Sequence, residues 1–559
     1  MTKLYKIHPS IGVSRVGNSN EFFLGPEIPG TFARPADGRY RDAGKKLKRQ
    51  ATRFWVFEQD DEQPGVAARP VFAGEGGVAR IEWTVHLANK KSIWFRFDEI
   101  HGITGDVTEG VPYPPNWPLR NQEWIPPSQP DERRRRLIIN PGPRSLTTTG
   151  QRVEIEKGNG GGFAETWPSP FVGGQEIKSL GTMVTDEQGR LILAGGFGTS
   201  GAAEADAVPE DGRLKSFVNN DKWFDDVSDG PVTARVVFED GTSAEVAPSW
   251  LIVGPPDYAP PIENIVTIYD VLYDLALREM GFDTNIFDPN TRQFKADLRP
   301  SFTESIYPIL KRAFEYRWVI RQATGHPPSI VDFAELGAAP QAGEDPNGNI
   351  RSDIFNRIRD PDNLNGPPER NMPRLHNDGT GGIEPESLRL TVTRTQFEML
   401  RRWAIGQFIP DWQGVPSPAS EVTPDGLDRA SLEAACGGGF FPGIEAGWIL
   451  RNPQIYAEAF RLRLAASEDD ANGVTPGDMT KRAALPWQAD FLKCADNWWP
   501  AQRPNQVRVS PNTAATSEWA RGINGHIDLV NRWSLLGVVV PAQNPASPSR
   551  FHESEREMP

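Results

Sequence analysis

Residues 255–261 read Pro255-Pro-Asp-Tyr-Ala-Pro-Pro261 and separate two kinds of sequence pattern. Successive prolines remove amide donors and hold the backbone extended, so neither a helix nor a central strand runs easily through this stretch. Before it, apolar residues alternate with polar ones, and after it they recur at helical spacing. The switch predicts an α+β protein, with an antiparallel β-rich N-terminal part and a helix- and loop-rich C-terminal part that carries the active site.

The N-terminal half contains three pairs of alternating apolar segments separated by turn signals, each of which predicts an antiparallel hairpin. The strongest turn signal is Asp240-Gly241 in the third pair. The predicted hairpins join 81–87 to 93–97, 181–189 to 191–193, and 232–238 to 242–246.

Helical patterns follow the proline stretch. One apolar stripe runs from Ile262 to Ala276 and stops at Gly281, and another covers 306–314. Thr395-Gln-Phe-Glu398 has the form of a capping box, which predicts a helix start there. A short helix is predicted over 427–436.

The chain has 559 residues, too many for one ordinary core. On the usual scale of about 150 residues per domain we expect several units. The predicted division is a β-rich region at 1–255, a helical region with a long Gly/Pro-rich surface excursion at 256–390, and a catalytic region at 391–559.

Charge and hydropathy exclude some classes of partner. The chain has 60 Lys and Arg against 74 Asp and Glu, a net charge of −14, which opposes nucleic acid and anionic membranes. The start lacks an apolar signal core, and no apolar run reaches membrane-spanning length. We expect a soluble protein without a cleavable signal peptide, either cytoplasmic or exported by a non-classical route.

Cysteine and histidine are sparse. Cys436 and Cys494 are the two cysteines, which excludes a disulfide scaffold, and the seven histidines show no metal-binding spacing. No metal is therefore predicted.

Gly196-Phe-Gly-Thr-Ser-Gly201 matches the glycine pattern of dinucleotide-binding loops. Such a loop must open a helix inside a βαβ unit, whereas this one leaves a predicted hairpin. The context argues against a nucleotide site.

The segment 486–500 suggests covalent chemistry. It runs from Pro486 to Pro500, is rich in tryptophan, and predicts a short helix. Asp490 and Cys494 lie four residues apart, on one face and one turn from each other. A carboxylate placed there can take a proton near the sulfur.

Cys436 begins the segment Cys-Gly-Gly-Gly-Phe-Phe-Pro-Gly-Ile-Glu445. The glycines allow close approach of the backbone, so this segment fits a pocket wall. An inert buried cysteine at a helix end fits the pattern too. Both interpretations stay open.

Several separated motifs together resemble one known family, the quinoprotein amino-acid oxidases of the lysine ε-oxidase and glycine oxidase type. The resemblance runs nearly end to end and preserves motif order. The motifs are Ile7–Asn18, Trp223–Pro231, Pro255–Pro260, the Cys436 glycine segment, Asp490-x-x-x-Cys494 and Trp533-x-x-Leu-Gly537.

The resemblance implies a cofactor made from the protein's own side chains, cysteine tryptophylquinone. Cys494 would be joined by a thioether to Trp533, which would also gain two oxygen atoms as an ortho-quinone. Trp498 and Trp499 are the alternative partners. Asp490 would support cofactor formation and serve as a base near the quinone.

The implied activity is oxidative deamination of an amino acid or related primary amine. A quinone carbonyl accepts the amine and acidifies the adjacent C–H bond, so that a base can remove the proton. O2 would be consumed, and ammonia and hydrogen peroxide released. The implied partners are a flavin-dependent maturation enzyme and further copies of the chain in a homo-oligomer.

The resemblance also implies substrate-binding residues. Cys436 matches a pocket cysteine of the lysine-oxidising members, and Phe224 matches an aromatic wall position. Phe551-His552 is similar to a Tyr-His pair of the glycine-oxidising members, which reaches the site across a subunit boundary; a solvated tail histidine is the alternative. The rival function is a catalytically silent binding or structural protein with the same fold, and a sugar-binding surface is a weaker one.

Overall fold

The computed structural model describes residues 3–558 with internal gaps. The residues outside the description are 1–2, 61–66, 97–116, 129–131, 159–161, 169–170, 173–175, 322–331, 341–344, 364–365, 368, 376–389, 438–446, 448, 469, 471, 494–499, 545–549 and 559.

Strands dominate the first half of the chain, and short strand pairs recur in the second. The strands are β1 (Lys3–His8), β2 (Ile11–Arg15), β3 (Phe22–Leu24), β4 (Arg49–Asp60), β5 (Arg69–Val71), β6 (Val78–Val85), β7 (Arg144–Leu146), β8 (Arg152–Glu156), β9 (Ser179–Thr185), β10 (Leu191–Gly195), β11 (Ser200–Ala202), β12 (Trp223–Asp225), β13 (Asp229–Phe238), β14 (Ser243–Glu245), β15 (Ser249–Gly254), β16 (Phe287–Asp288), β17 (Gln293–Phe294), β18 (Tyr456–Glu458), β19 (Arg461–Leu462), β20 (Gln506–Arg508), β21 (Thr516–Glu518), β22 (Val538–Pro541) and β23 (Phe551–Ser554).

Thirteen of these strands form one large sheet in the order β7-β6-β13-β15-β2-β4-β10-β9-β8, with β1, β3 and β5 on β4 and β14 on β13. Its ladders are antiparallel except for the β15–β2 and β3–β4 pairs. The predicted α+β fold is confirmed.

Two predicted hairpins are confirmed, since β9 pairs with β10 and β13 pairs with β14. The first one is wrong: β6 pairs with β13 and β7 instead. After Asn89 the chain turns inward through a 3-10 turn at Lys91–Ile93, because the Lys91 ammonium is buried against Asp225.

Helices follow the proline stretch as predicted. They are Ile268–Glu279, Tyr307–Glu315 with a π turn at Phe302–Ile306 before it, Phe333–Leu336, Gly348–Asn356, Arg394–Ala404, Pro424–Glu433, Trp487–Lys493 and His526–Arg532; the short helix Glu132–Arg135 precedes them. Within 337–386, the helix Gly348–Asn356 buries Ile354 and Phe355.

The predicted capping box is wrong by two residues. Thr393 caps the helix Arg394–Ala404 and exchanges hydrogen bonds with Gln396. The Thr395 hydroxyl instead donates to Asp274 at 2.6 Å. The competing carboxylate removes Thr395 from the capping role.

One apolar cluster joins the large sheet to the C-terminal elements. It contains sheet residues such as Trp83 and Leu193 together with Trp403, Trp487 and Trp533. The C-terminal tryptophans are therefore packed onto the core of the sheet. No helix among the described residues is both long and apolar enough to cross a membrane.

Candidate active site

Trp533 begins a 3-10 turn directly after the helix His526–Arg532 and is only 5% exposed. The Tyr258 hydroxyl donates a 2.6 Å hydrogen bond to its backbone carbonyl. Next to it, the Asn18 amide donates to the Ser534 hydroxyl at 3.1 Å. Two segments that are distant in sequence thus fix the backbone that carries this indole.

The helix Trp487–Lys493, called here the Trp487 helix, packs against Trp533. The Trp487 and Trp533 rings meet edge to face, 5.5 Å apart at 71°. Ala489 of the helix and Val530, three residues before Trp533, belong to one buried cluster. As predicted, the helix starts just after Pro486.

Asp490 lies in the first turn of the Trp487 helix and is 3% exposed. Being three residues after Trp487, it lies on the same side of the helix as Trp487. The helix is described as far as Lys493, and Cys494 is the next residue in the sequence. Cys494 itself and the alternative partners Trp498 and Trp499 lie outside the described residues.

Asp225 fixes the start of the Trp487 helix. Its carboxylate accepts the Trp487 amide at 3.1 Å and both of its oxygens accept from the Lys91 ammonium, at 2.9 and 2.8 Å. The side chains of Lys91 and Asp225 are fully buried. Burial lowers the pKa of Lys91, although the Asp225 carboxylate opposes this.

The segment 196–201, called here the glycine loop, forms one wall beside Trp533. Gly198 has φ +71°, and a Cβ placed on it would overlap Cζ2 of Trp533 and lie 2.6 Å from Cη2. Gln488 of the Trp487 helix donates to the Gly198 carbonyl at 3.3 Å and accepts from the Ser200 hydroxyl at 2.8 Å. The loop is therefore tied to the helix and fits closely against the indole.

Asp226 supports the glycine loop from the other side. The Thr199 hydroxyl donates to its Oδ2 at 3.0 Å, and the Asp226 amide donates to the Thr199 carbonyl at 3.2 Å. Burial raises the pKa of Asp226 to about 7, and the neighbouring Asp225 charge adds to the rise. Hydrogen bonds from the backbone and side chain of Thr199 and from the Phe197 amide act in the opposite direction.

The glycine loop continues into a short strand, as its sequence context predicts. Gly201 lies in β11, which pairs with β12 rather than opening a helix. Phe224 sits opposite Gly201, is 1% exposed, and packs on Phe171 and Trp124 at 5.7 and 6.5 Å. The predicted wall residue is thus one strand away from the loop that contacts Trp533.

Cys436 lies beyond the end of its helix, which spans Pro424–Glu433, and forms a β-bridge with Thr267. It is 4% exposed. Gln502 connects this region to Tyr258. Its side-chain amide donates to the Ala434 carbonyl, and its backbone carbonyl accepts a hydrogen bond from the Tyr258 amide. Residues 438–446, which follow Cys436, lie outside the described residues.

Phe551 and His552 lie on β23, which pairs with β22 a few residues after Trp533. Phe551 is buried and packs on Trp318 at 6.2 Å. His552 is opposite Val540, and partial burial lowers its pKa. The tail is therefore docked on the segment that carries Trp533.

The described residues contain no group of three or more His, Cys, Asp and Glu side chains suited to a metal ion. What the described residues bring together instead is the buried Trp533 indole, a second indole on the Trp487 helix, and buried carboxylates on that helix and on the segment that fixes its start. This arrangement suits chemistry on the tryptophan ring itself.

Comparisons with known proteins identify the family. A family model described as L-lysine epsilon oxidase N-terminal matches residues 8–253, and one described as L-lysine epsilon oxidase C-terminal domain matches 375–519. The L-lysine 6-oxidase of Marinomonas mediterranea is 31% identical over 621 aligned residues, which cover 99% of this chain and 78% of that protein. This chain belongs to the L-lysine ε-oxidase family.

Solved structures of the family share the whole fold. The crystal structure of the L-Lys ε-oxidase from M. mediterranea has a TM-score of 0.79 at 27% identity, covering 99% of this chain and 95% of that one. The Schiff base intermediate of that oxidase with L-Lys has a TM-score of 0.81 at 26% identity with the same coverage. The family resemblance predicted from the motifs is confirmed.

Sequence reasoning did not assign site roles to Tyr258, Asp225, Asp226 or Gly198. The first three lie in two of the motifs that carry the family resemblance, which was the available signal. Gly198 was considered only as part of a nucleotide loop. Its positive φ and its contact with Trp533 require the three-dimensional fold.

Proposed function

We propose that this chain is an amino-acid oxidase that deaminates a primary amine oxidatively through cysteine tryptophylquinone, formed from Cys494 and Trp533. O2 is consumed, and ammonia and hydrogen peroxide are released. The observation that carries the proposal is the packing of the Trp487 helix, whose last described residue precedes Cys494 in the sequence, against the Trp533 indole. Family membership supports an oxidase and disfavours the silent and sugar-binding alternatives.

The residues around Trp533 fit this group. The indole is almost fully buried, its backbone is fixed by Tyr258, and a glycine rather than a side chain lies against its Cζ2 atom. A buried carboxylate, Asp490, lies on the adjacent helix. The group would therefore be held rigidly and kept from bulk water.

When formed, the quinone would supply an electrophilic carbonyl and a sink for two electrons. The described residues would provide its orientation. Trp487 holds one side of the ring, the glycine loop holds another, and Tyr258 holds the backbone. Rigid placement of a reacting group lowers the entropic cost of reaching the transition state.

Asp490 is proposed as the base that takes a proton near the quinone and as a group that supports cofactor formation. Its burial suits the role, because the carboxylate is kept out of bulk water. A carboxylate within reach of a substrate C–H can then act as a general base.

Substrate binding is assigned to Cys436, Phe224, Phe551 and His552. Phe224 and the pair Phe551-His552 lie on strands that adjoin the glycine loop and the Trp533 segment. The relatives named above act on L-lysine. We propose an amino acid as substrate here, because the glycine-type tail and the lysine-type cysteine occur together.

The proposed partners are a flavin-dependent maturation enzyme and further copies of the chain. We also propose that the chain is organised into three regions, at residues 1–255, 256–390 and 391–559. Expression alone would then give unmodified chain, whereas co-expression with the flavoprotein would give the quinone.

The test is a peroxide-release screen on co-expressed protein with glycine, lysine and the other amino acids, alongside the intact mass. The expected result is release of ammonia and peroxide in equal amounts from at least one amino acid. Trp533→Phe and Cys494→Ser abolish both products, while Trp55→Phe, a core tryptophan of β4, serves as a control. Turnover by Trp533→Phe contradicts the proposal.

A further inference from the structure

A cavity of about 620 Å³ lies beside strand β1, away from Trp533. Its walls come from five segments of the chain, 6–10, 57–68, 269–282, 424–428 and 457–460. The start of the helix Pro424–Glu433 lines the cavity, whereas Cys436 lies beyond the other end of that helix. Ten residues of helix span about 15 Å. The cavity is therefore separate from the candidate active site, and its volume is typical of small-molecule sites.

One wall of the cavity is aromatic. Phe460 stacks on Tyr269, with ring centroids 5.5 Å apart at 9°, and Phe282 meets Phe460 edge to face at 5.4 Å. Phe460 has φ +65°, a left-handed backbone that bulky residues rarely adopt and that the surrounding contacts must stabilise. Phe282 is 49% exposed, so its ring borders both the cavity and solvent. The wall therefore offers apolar surface to a ligand.

The basic side chains that line the cavity already have acidic partners. Nδ1 of His8 lies 2.9 Å from Oδ1 of Asp428, whose Oδ2 accepts from the Ser10 hydroxyl at 2.8 Å. The Lys6 ammonium donates to the Glu458 carboxylate at 2.6 Å. These pairs fix the polar side of the cavity and leave little positive charge for an anionic ligand.

Asp425 differs from the other charged groups of the lining. Its side chain is exposed, and it makes no hydrogen bond or ion pair with the rest of the described chain. It lies in the first turn of the helix Pro424–Glu433, where a carboxylate also interacts favourably with the helix dipole. The charge that the cavity offers to a ligand is therefore negative.

We propose that this cavity binds an organic cation with an apolar body, that is, an ammonium group carried on an aliphatic or aromatic chain. The ammonium group lies against Asp425, and the apolar body lies on Phe282 and Phe460. Charge complementarity disfavours neutral and acidic analogues, and the aromatic wall adds cation–π attraction. Binding here needs no quinone, so it is independent of the proposed oxidase function.

Benzyltrimethylammonium is the probe, because a quaternary nitrogen carries no hydrogen and cannot form an imine with a quinone carbonyl. Benzyl alcohol and benzoate are its neutral and anionic counterparts. Binding to the full chain is followed by NMR of isotope-labelled methionine methyl groups, since Met280 lines the cavity. Met280→Leu identifies its signal. Met183, buried in β9 of the large sheet, is the internal reference.

The Met280 signal is expected to shift saturably with benzyltrimethylammonium, while the Met183 signal stays in place. Benzyl alcohol is expected to bind about fivefold more weakly because it lacks the charge, and benzoate more weakly still. Asp425→Asn is expected to weaken binding of the cation about threefold to fivefold. Phe282→Ala is expected to weaken it about threefold.

Two control variants carry the same changes elsewhere. Asp297→Asn alters an exposed carboxylate that, like Asp425, has no bonding partner in the described part of the chain. Phe163→Ala removes another exposed aromatic ring. Both are expected to bind benzyltrimethylammonium as the wild type does. Thermal melting checks that every variant folds, and where Asp425→Asn or Phe282→Ala does not, the comparison of the three probes on the wild type decides.

Three results each overturn the proposal. They are a Met280 signal that does not shift saturably in the wild type, equal affinities for benzyltrimethylammonium and benzyl alcohol, and an unchanged affinity for the cation in folded Asp425→Asn.

Discussion

The Tyr258 hydroxyl and the Trp533 backbone carbonyl are joined by a buried 2.6 Å hydrogen bond between residues 275 positions apart. Tyr258 comes from the proline stretch that divides the strand-rich and helix-rich halves of the chain. Its ring also packs on Trp519 and Phe491, at 4.7 and 6.4 Å. The stretch that marks the change in fold is thus a support of the candidate site.

Tyr258→Phe is expected to lose about 1 kcal/mol of unfolding free energy, since a buried carbonyl loses its donor. Tyr456→Phe is a matched control, because its hydroxyl makes an equal 2.6 Å bond to the Leu450 carbonyl in a different core cluster. Urea unfolding is expected to show similar losses. Only Tyr258→Phe is expected to lower kcat as well; an equal fall in kcat for both would contradict a specific role for Tyr258.

Asp225→Asn is expected to destabilise the protein by about 3–5 kcal/mol, because it leaves the buried Lys91 ammonium without its counter-charge. Thermal melting of unmodified chain measures this. The double variant Lys91→Met with Asp225→Asn is expected to recover much of the loss, since neither position of the pair then carries a charge. A double variant as unstable as the single one would show that the ion pair is not the cause.

Asp226 predicts a pH dependence of stability. Its pKa is raised from 3.8 to about 7, so between these values the folded protein holds a proton that the unfolded chain releases. Stability contributed by this group is therefore present at low pH and falls as pH rises through the window. Asp257 and Asp229, with pKa values raised to about 6, act in the same direction.

Comparison with Asp226→Asn isolates the contribution of Asp226. Between pH 5 and pH 8 the wild type is expected to lose about 3 kcal/mol relative to the variant, from the usual value of roughly 1.4 kcal/mol per pH unit over the two units below pH 7. Urea unfolding at the two pH values measures it. Parallel stability curves for the two proteins would contradict the raised pKa.

His552→Ala tests whether the docked tail serves the substrate. Because His552 lies on β23 with its side chain half-buried, its removal is expected to change stability by less than about 1 kcal/mol. If it contacts substrate, KM is expected to rise severalfold with quinone content unchanged. The control is Lys45→Ala, which removes an exposed salt bridge to Glu557, a residue of the same tail. Equal KM values for the two variants would show that His552 belongs to the docked tail but does not bind substrate.

Local patterns predicted much of the fold. Turn signals identified the β9–β10 and β13–β14 hairpins, and apolar periodicity identified the helices Ile268–Glu279 and Tyr307–Glu315. These elements depend on contacts between residues close in sequence.

The failures have long-range causes. The segment after Asn89 does not return as a strand because Lys91 pairs with Asp225, and Thr395 does not cap its helix because Asp274 takes its hydroxyl. Both partners are more than 100 residues away. A local sequence pattern cannot show that a distant residue competes for the same group.

The residues of the candidate site, like the elements of the fold, could be predicted in part from the sequence. Motif resemblance indicated Trp533 and Asp490, and in the fold the helix that carries Asp490 packs against the Trp533 indole. It did not indicate that Gly198 contacts the ring or that Asp225 holds the Trp487 helix. These contacts join segments separated by more than 250 residues, so only the folded chain reveals them.

The central claim is that Cys494 and Trp533 become one cofactor, and peptide mass spectrometry of protein co-expressed with the flavoprotein tests it most directly. The account predicts one cross-linked species that contains both residues, with two oxygen atoms gained and four hydrogen atoms lost. Separate, unmodified peptides carrying Cys494 and Trp533, or a cross-link from Cys494 to Trp498 or Trp499, would contradict it.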